Sequence, residues 1–235
     1  MSEQKTSIPL GGGDVLSAVF HEPAHPRAWV VTLHGMESNK EGSKPIELAK
    51  RLLPDGIGVV RFDFRGCGES SGEFAATNVA TRLADARAVI GALAKRPGGS
   101  NLGLFGSSMG GYVALFLAVD PQVGDRVKAT VGLASPANVD DLVPLALQMP
   151  SLQGFATEYQ TGGFRNVPTG QSHVLLLHGD ADETVPVAHA ETIWQGLREP
   201  RNKIIFSGCD HRFSNPADLA AAMNEAASWF RRYLP

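Results

Sequence analysis

Cysteine is scarce in this chain: Cys67 and Cys209 are the only two among 235 residues. Two thiols cannot build a disulfide framework, and neither stands in the repeated Cys or His spacing of a zinc site. Both read as free, partly buried thiols. Charge of one sign is lacking as well. The 21 basic and 24 acidic residues leave a formal charge of −3. No run of Lys and Arg is long enough to follow a phosphate backbone, so nucleic acid is not an expected partner. No apolar stretch approaches the roughly 18 residues of a membrane span. Met1 to Leu10 is polar, without the apolar core and small-residue cleavage pattern of a secretory signal. A cytoplasmic protein without a membrane partner is expected.

What is present is the composition of a folded chain, with 43% apolar and 19% charged residues. A single domain over residues 1–235 is expected, since α/β chains of this length often form one. Short runs rich in β-branched and aliphatic residues recur at Val15–Phe20, Trp29–Leu33, Gly58–Phe62, Leu102–Phe105, Ala129–Leu133, Val174–Leu177 and Lys203–Phe206. Between them, Pro45–Leu53, Ala80–Lys95, Tyr112–Val119, Ala188–Leu197 and Asp218–Leu234 carry helical spacing. In the second of these, Leu83, Ala86, Val89, Ile90 and Leu93 predict a buried face, with Arg82, Asp85 and Arg87 in water. Alternation of apolar strands with amphipathic helices predicts an α/β fold with a mostly parallel sheet covered on both faces, because parallel strands need crossovers. Ligands of such sheets sit outside the carboxyl ends of the strands, which directs attention to the residues just after each strand.

One segment breaks the rhythm. From Ser135 to about Gln171 the chain carries Pro136, Pro144, Pro150 and Pro168 among scattered apolar residues that include Leu142, Leu145, Leu147, Met149, Leu152, Phe155, Tyr159 and Phe164. An insertion over about residues 136–171, with one or two short helices, is expected. Leu147, Phe155, Tyr159 and Phe164 are candidates to line an acyl or aryl pocket. The alternative is a local minicore that anchors the insertion.

Strand Leu102–Phe105 runs into Gly106-Ser107-Ser108-Met109-Gly110, and helical spacing begins at once. This is G-x-S-x-G in a strand–turn–helix setting, where a strained turn lifts the central serine to a helix N-terminus and flanking glycines allow close backbone approach. Ser108 is the candidate nucleophile, and Ser107 a structural hydroxyl beside it. Acyl transfer needs two preorganised donors for the oxyanion. The backbone N–H groups of Met36, in the loop His34-Gly35-Met36 after the second run, and of Met109 are the candidates. His34 reads as a packing residue of that loop. The candidate base is His211, in Gly208-Cys209-Asp210-His211-Arg212-Phe213 after the last strand. The orienting acid is Asp180 or Asp182, in His178-Gly179-Asp180-Ala181-Asp182-Glu183-Thr184-Val185-Pro186. Asp210 is a poor orienter, because neighbouring side chains on an extended segment point apart. The order Ser, Asp, His suits this fold.

At this point the chain resembles the α/β-hydrolase family over nearly its whole length, in the small capped serine esterase or serine aminopeptidase-like branch. His34-Gly35 is similar to the family's oxyanion loop, Asp63-Phe64-Arg65-Gly66-Cys67-Gly68-Glu69-Ser70 to its D-x-R-G-x-G-x-S turn, and Gly106–Gly110 to its nucleophile elbow. Gly179 to Pro186 is similar to its G-x-x-D-x-x-V-P acid loop, and the resemblance thereby selects Asp182. It also implies that the 136–171 insertion is a cap, compact like those of small bacterial esterases, some of which cleave cinnamoyl esters. Asp63 and Arg65 read as structural members of a tight turn. The expected function is hydrolysis of carboxylic esters, aryl or cinnamoyl esters among them, through an acyl-enzyme on Ser108. A serine peptidase or a thioesterase would use the same residues. Dienelactone hydrolases look similar but place Cys where this chain has Ser108. A non-catalytic binding module on the same scaffold would usually lack one of the three residues. The expected partner is a small-molecule ester, with no metal and no organic cofactor.

Overall fold

The computed structural model describes residues 2–140 and 143–235. Eight strands form one sheet: β1 (Ser2–Gly11), β2 (Asp14–Glu22), β3 (Ala28–Leu33), β4 (Ile57–Phe62), β5 (Leu102–Ser107), β6 (Val127–Leu133), β7 (Val174–Gly179) and β8 (Arg201–Phe206). Their spatial order is β1-β2-β4-β3-β5-β6-β7-β8. The pairs β1/β2 and β2/β4 are antiparallel, and all others are parallel. The helices are α1 (Ser43–Leu52), α2 (Val79–Leu93), α3 (Met109–Leu117), α4 (Val143–Ala146), α5 (Gln153–Gln160), α6 (Ala188–Gly196) and α7 (Pro216–Tyr233). The expected α/β-hydrolase fold is the observed one.

Every residue of β3, β4 and β7 is buried, which is why these strands read as unbroken apolar runs rather than alternating ones. Alternation survives in which neighbours each residue meets. Val31, Leu33, Val60 and Leu104 pack with α2 and α3, whereas Val30, Val59, Phe105 and Leu175 pack with α1 and α7. Strand β1 carries no apolar run and escapes sequence reading. It pairs along nearly its whole length with β2 across Gly11-Gly12-Gly13, all three at positive φ, and buries Ile8.

The expectation that Arg82 and Asp85 lie in water is wrong: both are fully buried, and Arg87 is half-buried. Helix α2 is covered by more than the sheet. The Arg82 guanidinium lies over Phe64, 4.6 Å from the ring centre, and 5.6 Å from the ring of Phe155 on α5. Asp85 accepts two hydrogen bonds from the Arg65 guanidinium, at 2.6 and 2.8 Å, and one from its backbone N–H at 2.9 Å. A helix sandwiched between a sheet and an insertion has two buried stripes, and periodicity reveals only the apolar one.

The insertion between β6 and β7 contains α4 and α5 and is tied to the body by specific contacts. Glu158 of α5 accepts hydrogen bonds from the first-turn N–H groups of Val79 and Ala80 at 2.8 and 2.9 Å, which supplies a carboxylate at the positive end of α2. The Tyr112 hydroxyl donates to the Arg165 carbonyl at 2.8 Å. Leu142 and the side chain of Leu145 lie outside the described residues.

Candidate active site

The centre of the site is the turn between β5 and α3. Ser108 sits there at φ 55°, ψ −125°, a conformation an L-residue adopts only under tertiary constraint. The constraint is visible in its neighbours. A Cβ on Gly110 would fall 2.0 Å from the Leu33 carbonyl oxygen, and one on Gly106 would fall 2.3 Å from the Gly110 carbonyl oxygen. Strand end and helix start therefore approach as only glycine allows. The Ser108 N–H is held by the Leu133 carbonyl at 2.8 Å, and its own carbonyl accepts from Gly111 N–H at 2.8 Å.

Three strand ends meet at this hydroxyl. The Ser108 Oγ lies 3.1 Å from Nε2 of His211, in the loop after β8, and His211 Nδ1 lies 2.8 Å from Oδ2 of Asp182, in the loop after β7. The other carboxylate oxygen, Oδ1, accepts the N–H groups of Thr184 and Val185 at 2.9 and 2.7 Å. Burial of Asp182 would raise its pKa, but hydrogen bonds from His178, His211 and the Val185 N–H outweigh it and hold the carboxyl well below its usual range. Asp182 is thus a fixed anion. Asp180 instead accepts from the Gly208 N–H at 2.6 Å and fastens the two loops. Asp210 caps its own turn through the Ser214 N–H at 2.8 Å.

The loop after β3 crosses above Ser108, where a Cβ on Gly35 would lie 3.2 Å from Ser108 Cβ. His34 shapes this loop. Its buried Nδ1 is 2.8 Å from the Gly35 carbonyl, and its Nε2 accepts the Phe64 N–H at 3.1 Å. Burial first, and the nearby Arg82 charge second, push its pKa down to about 4, so the ring is neutral and Nδ1 carries the proton. Because a trans peptide points its C=O and N–H in opposite directions, the Gly35–His34 contact turns the Met36 N–H away from the imidazole. The Met109 N–H is in the first turn of α3 and has no intrahelical acceptor. Both methionines line the cavity at Ser108.

That cavity has a volume of about 690 Å³. The insertion contributes Pro136, Asn138, Val139, Met149 and Leu152 to it, not the four residues expected. Leu147 is more than half exposed, and Phe155, Tyr159 and Phe164 instead enclose a separate small space with Val79 and Val139. The physical reason is the docking of α5 on α2: its apolar face is occupied by Phe64, Arg82 and their neighbours, the minicore alternative.

Sequence reading passed over two ionisable groups here. Lys40 is buried, with Nζ 2.7 Å from Asp63 and 2.6 Å from Glu69, so the Asp63–Ser70 turn is built around a cation from the oxyanion-side loop. His178, the penultimate residue of β7, donates Nε2–H to the Val185 carbonyl at 2.8 Å and stands 3.3 Å from Asp182 Oδ2. Its position at a strand end was the available signal. Cys67 and Cys209 are free and buried.

The sheet order, the strained serine turn and the hydrogen-bonded Ser108, His211 and Asp182 define a serine hydrolase of the α/β-hydrolase fold. More narrowly, the chain belongs to the family described as serine aminopeptidase, S33, which residues 24–166 match. It is similar to the YfhR protein of Salmonella typhi, 28% identical over 85% of this chain and 69% of the relative. It is also similar to the mitochondrial palmitoyl-protein thioesterase ABHD10 of Rattus norvegicus, 26% identical over 92% of this chain and 80% of the relative. Among solved structures, Est1E from Butyrivibrio proteoclasticus with ferulic acid bound shares the fold at a TM-score of 0.81. It is 19% identical and covers 97% of this chain and 98% of its own.

Proposed function

We propose that this chain hydrolyses carboxylic esters through an acyl-enzyme on Ser108. The observation that carries the reading is the unbroken relay from Ser108 Oγ to His211 to Asp182, opening into a cavity large enough for a small acyl or aryl group. His211 Nε2 takes the Ser108 proton as Oγ attacks the carbonyl carbon. The oxyanion accepts from the Met36 and Met109 N–H groups, and Asp182 holds the imidazole with Nδ1 protonated and faces the imidazolium that forms. Collapse breaks the bond to the leaving oxygen, which receives the proton from Nε2, and water repeats the sequence on the acyl-enzyme. The insertion acts as a cap whose Val139, Met149 and Leu152 face the acyl or aryl group. A reducing compartment such as the cytoplasm suits the two free thiols.

Thioester cleavage is the second reading, favoured by the likeness to a palmitoyl-protein thioesterase. Removal of an N-terminal residue from a peptide fits the cavity poorly. A substrate ammonium needs a carboxylate, and the charged lining groups are Lys40, Lys44 and Arg212, with Glu37 exposed. Ser108→Ala is expected to abolish turnover of p-nitrophenyl butyrate and labelling by a fluorophosphonate probe while leaving the circular dichroism spectrum intact. A variant that keeps most of its turnover overturns the assignment. A panel of matched ester, thioester and amide then ranks the leaving atoms.

A further inference from the structure

The cavity at Ser108 holds two cations for which hydrolysis of a neutral ester has no use. Lys44, the second residue of α1, lines the cavity half-buried and makes no ion pair among the described residues. Arg212, next to the candidate base, is exposed, lines the same cavity and is likewise unpaired among them. Lys40, by contrast, is fully engaged by Asp63 and Glu69.

The carboxylates whose fields reach Lys44 are Asp210 and Asp182, and both are already hydrogen-bonded elsewhere, to the Ser214 N–H and to His211 with the 184–185 backbone. Burial pushes the Lys44 ammonium below its ordinary pKa, as it does for a charge without a close counter-ion. The helix adds to the same sign. Helix α1 has no acidic residue in its first turn and no side-chain cap on Gly42, so its positive end is uncompensated, and Lys44 stands where a cation is disfavoured and an anion welcomed. Gly42, Ser43, Lys44 and Pro45 all line the cavity. The carboxylate that shares the lining, Glu37, is exposed, as Arg212 is, and belongs to the loop after β3 rather than to the His211 loop.

The side of the substrate that meets these cations follows from the proton. His211 Nε2 must deliver its proton to the departing atom, so the leaving group lies on the imidazole side of the carbonyl. Arg212 belongs to that loop, and the groups that act on Lys44 are Asp182, Cys209, Asp210 and Arg212, all of the same side. We propose that Lys44, with Arg212, forms an anion-binding subsite for the leaving group, so that the preferred substrates are esters or thioesters of an alcohol or thiol that itself carries a carboxylate or phosphate. This rests on the reading of Ser108 as nucleophile.

The test uses the butyrate ester of 3-hydroxyphenylacetic acid and the butyrate of its methyl ester, in which a CH₂ group insulates the phenol from the charge. Wild-type protein is expected to favour the acid by about tenfold in kcat/KM, the size of one charge-assisted contact. The ratio falls towards one in Lys44→Met, in Lys44→Met/Arg212→Gln, and with rising ionic strength. A third ester bearing a methylphosphonate in place of the carboxylate separates the two anions. A wild-type ratio near one, or a ratio that survives in the double variant, overturns the subsite. If neither ester is cleaved, the ester reading fails, and the subsite is judged by calorimetric binding of 3-hydroxyphenylacetate. Absent binding, or equal binding by wild type and Lys44→Met, then overturns it.

Discussion

Lowering the pH from 7 to 4 should expose the energy stored in His34. The ring is buried, hydrogen-bonded on both nitrogens as the neutral form, and pushed down to a pKa of about 4 from an ordinary 6.5. Between these values the unfolded chain binds a proton that the folded chain refuses, so stability is fully present above pH 6.5 and declines as the pH falls towards 4. A depression of this size corresponds to about 3 kcal/mol. His21, whose pKa burial also lowers, contributes in the same direction. The two are separated by the variant His34→Gln, whose carboxamide oxygen can still accept the Phe64 N–H but does not titrate. Urea unfolding followed by tryptophan fluorescence at a series of pH values gives both stabilities. The gap between wild type and variant is expected to narrow by about 3 kcal/mol from pH 7 to pH 4. Asp182 does not confuse the result. Its folded pKa is depressed, so its contribution is present above its unfolded value of 3.8 and is lost only as the pH falls below it. Parallel curves for the two proteins would show that His34 is not held neutral and would remove the argument for how it sets the Gly35 carbonyl.

Other outcomes follow from the same geometry. Asp182→Asn keeps an oxygen for the Thr184 and Val185 N–H groups but turns an NH₂ towards His211 Nδ1; kcat for an activated ester should fall by about 10⁴-fold. Gly110→Ala forces a methyl group to within 2.0 Å of the Leu33 carbonyl oxygen and should cost about 3 kcal/mol in urea unfolding. Gly91→Ala, on an exposed position of α2 with nothing within 4 Å of the new Cβ, should gain about 1 kcal/mol in the same measurement.

The parallel core and the strand ends that carry the chemistry are legible in the amino-acid order alone. Strands such as Val174–Gly179 are buried on both faces and so announce themselves as apolar runs, and the Gly106–Gly110 turn announces itself because a Cβ on Gly106 or Gly110 would fall 2.0–2.3 Å from a carbonyl oxygen, which leaves no residue but glycine. Residues 108 and 211 could be named because each follows a strand whose end must lie at one edge of such a sheet, whereas that position left Asp180 and Asp182 open and the resemblance to the family's acid loop selected Asp182. Which surfaces the insertion covers emerges only once the chain is folded. Arg82 and Asp85 look like a wet helix face until Phe64, Arg65 and Phe155 close over them, and Phe155 looks like a pocket residue until α5 docks on α2. Likewise Lys44 is one lysine among others in the sequence and becomes a cation of the cavity only when α1 is laid beside the His211 loop. Local periodicity records how a segment meets its nearest layer. It carries no record of a second layer contributed by residues far along the chain, because that contact depends on the geometry of both partners.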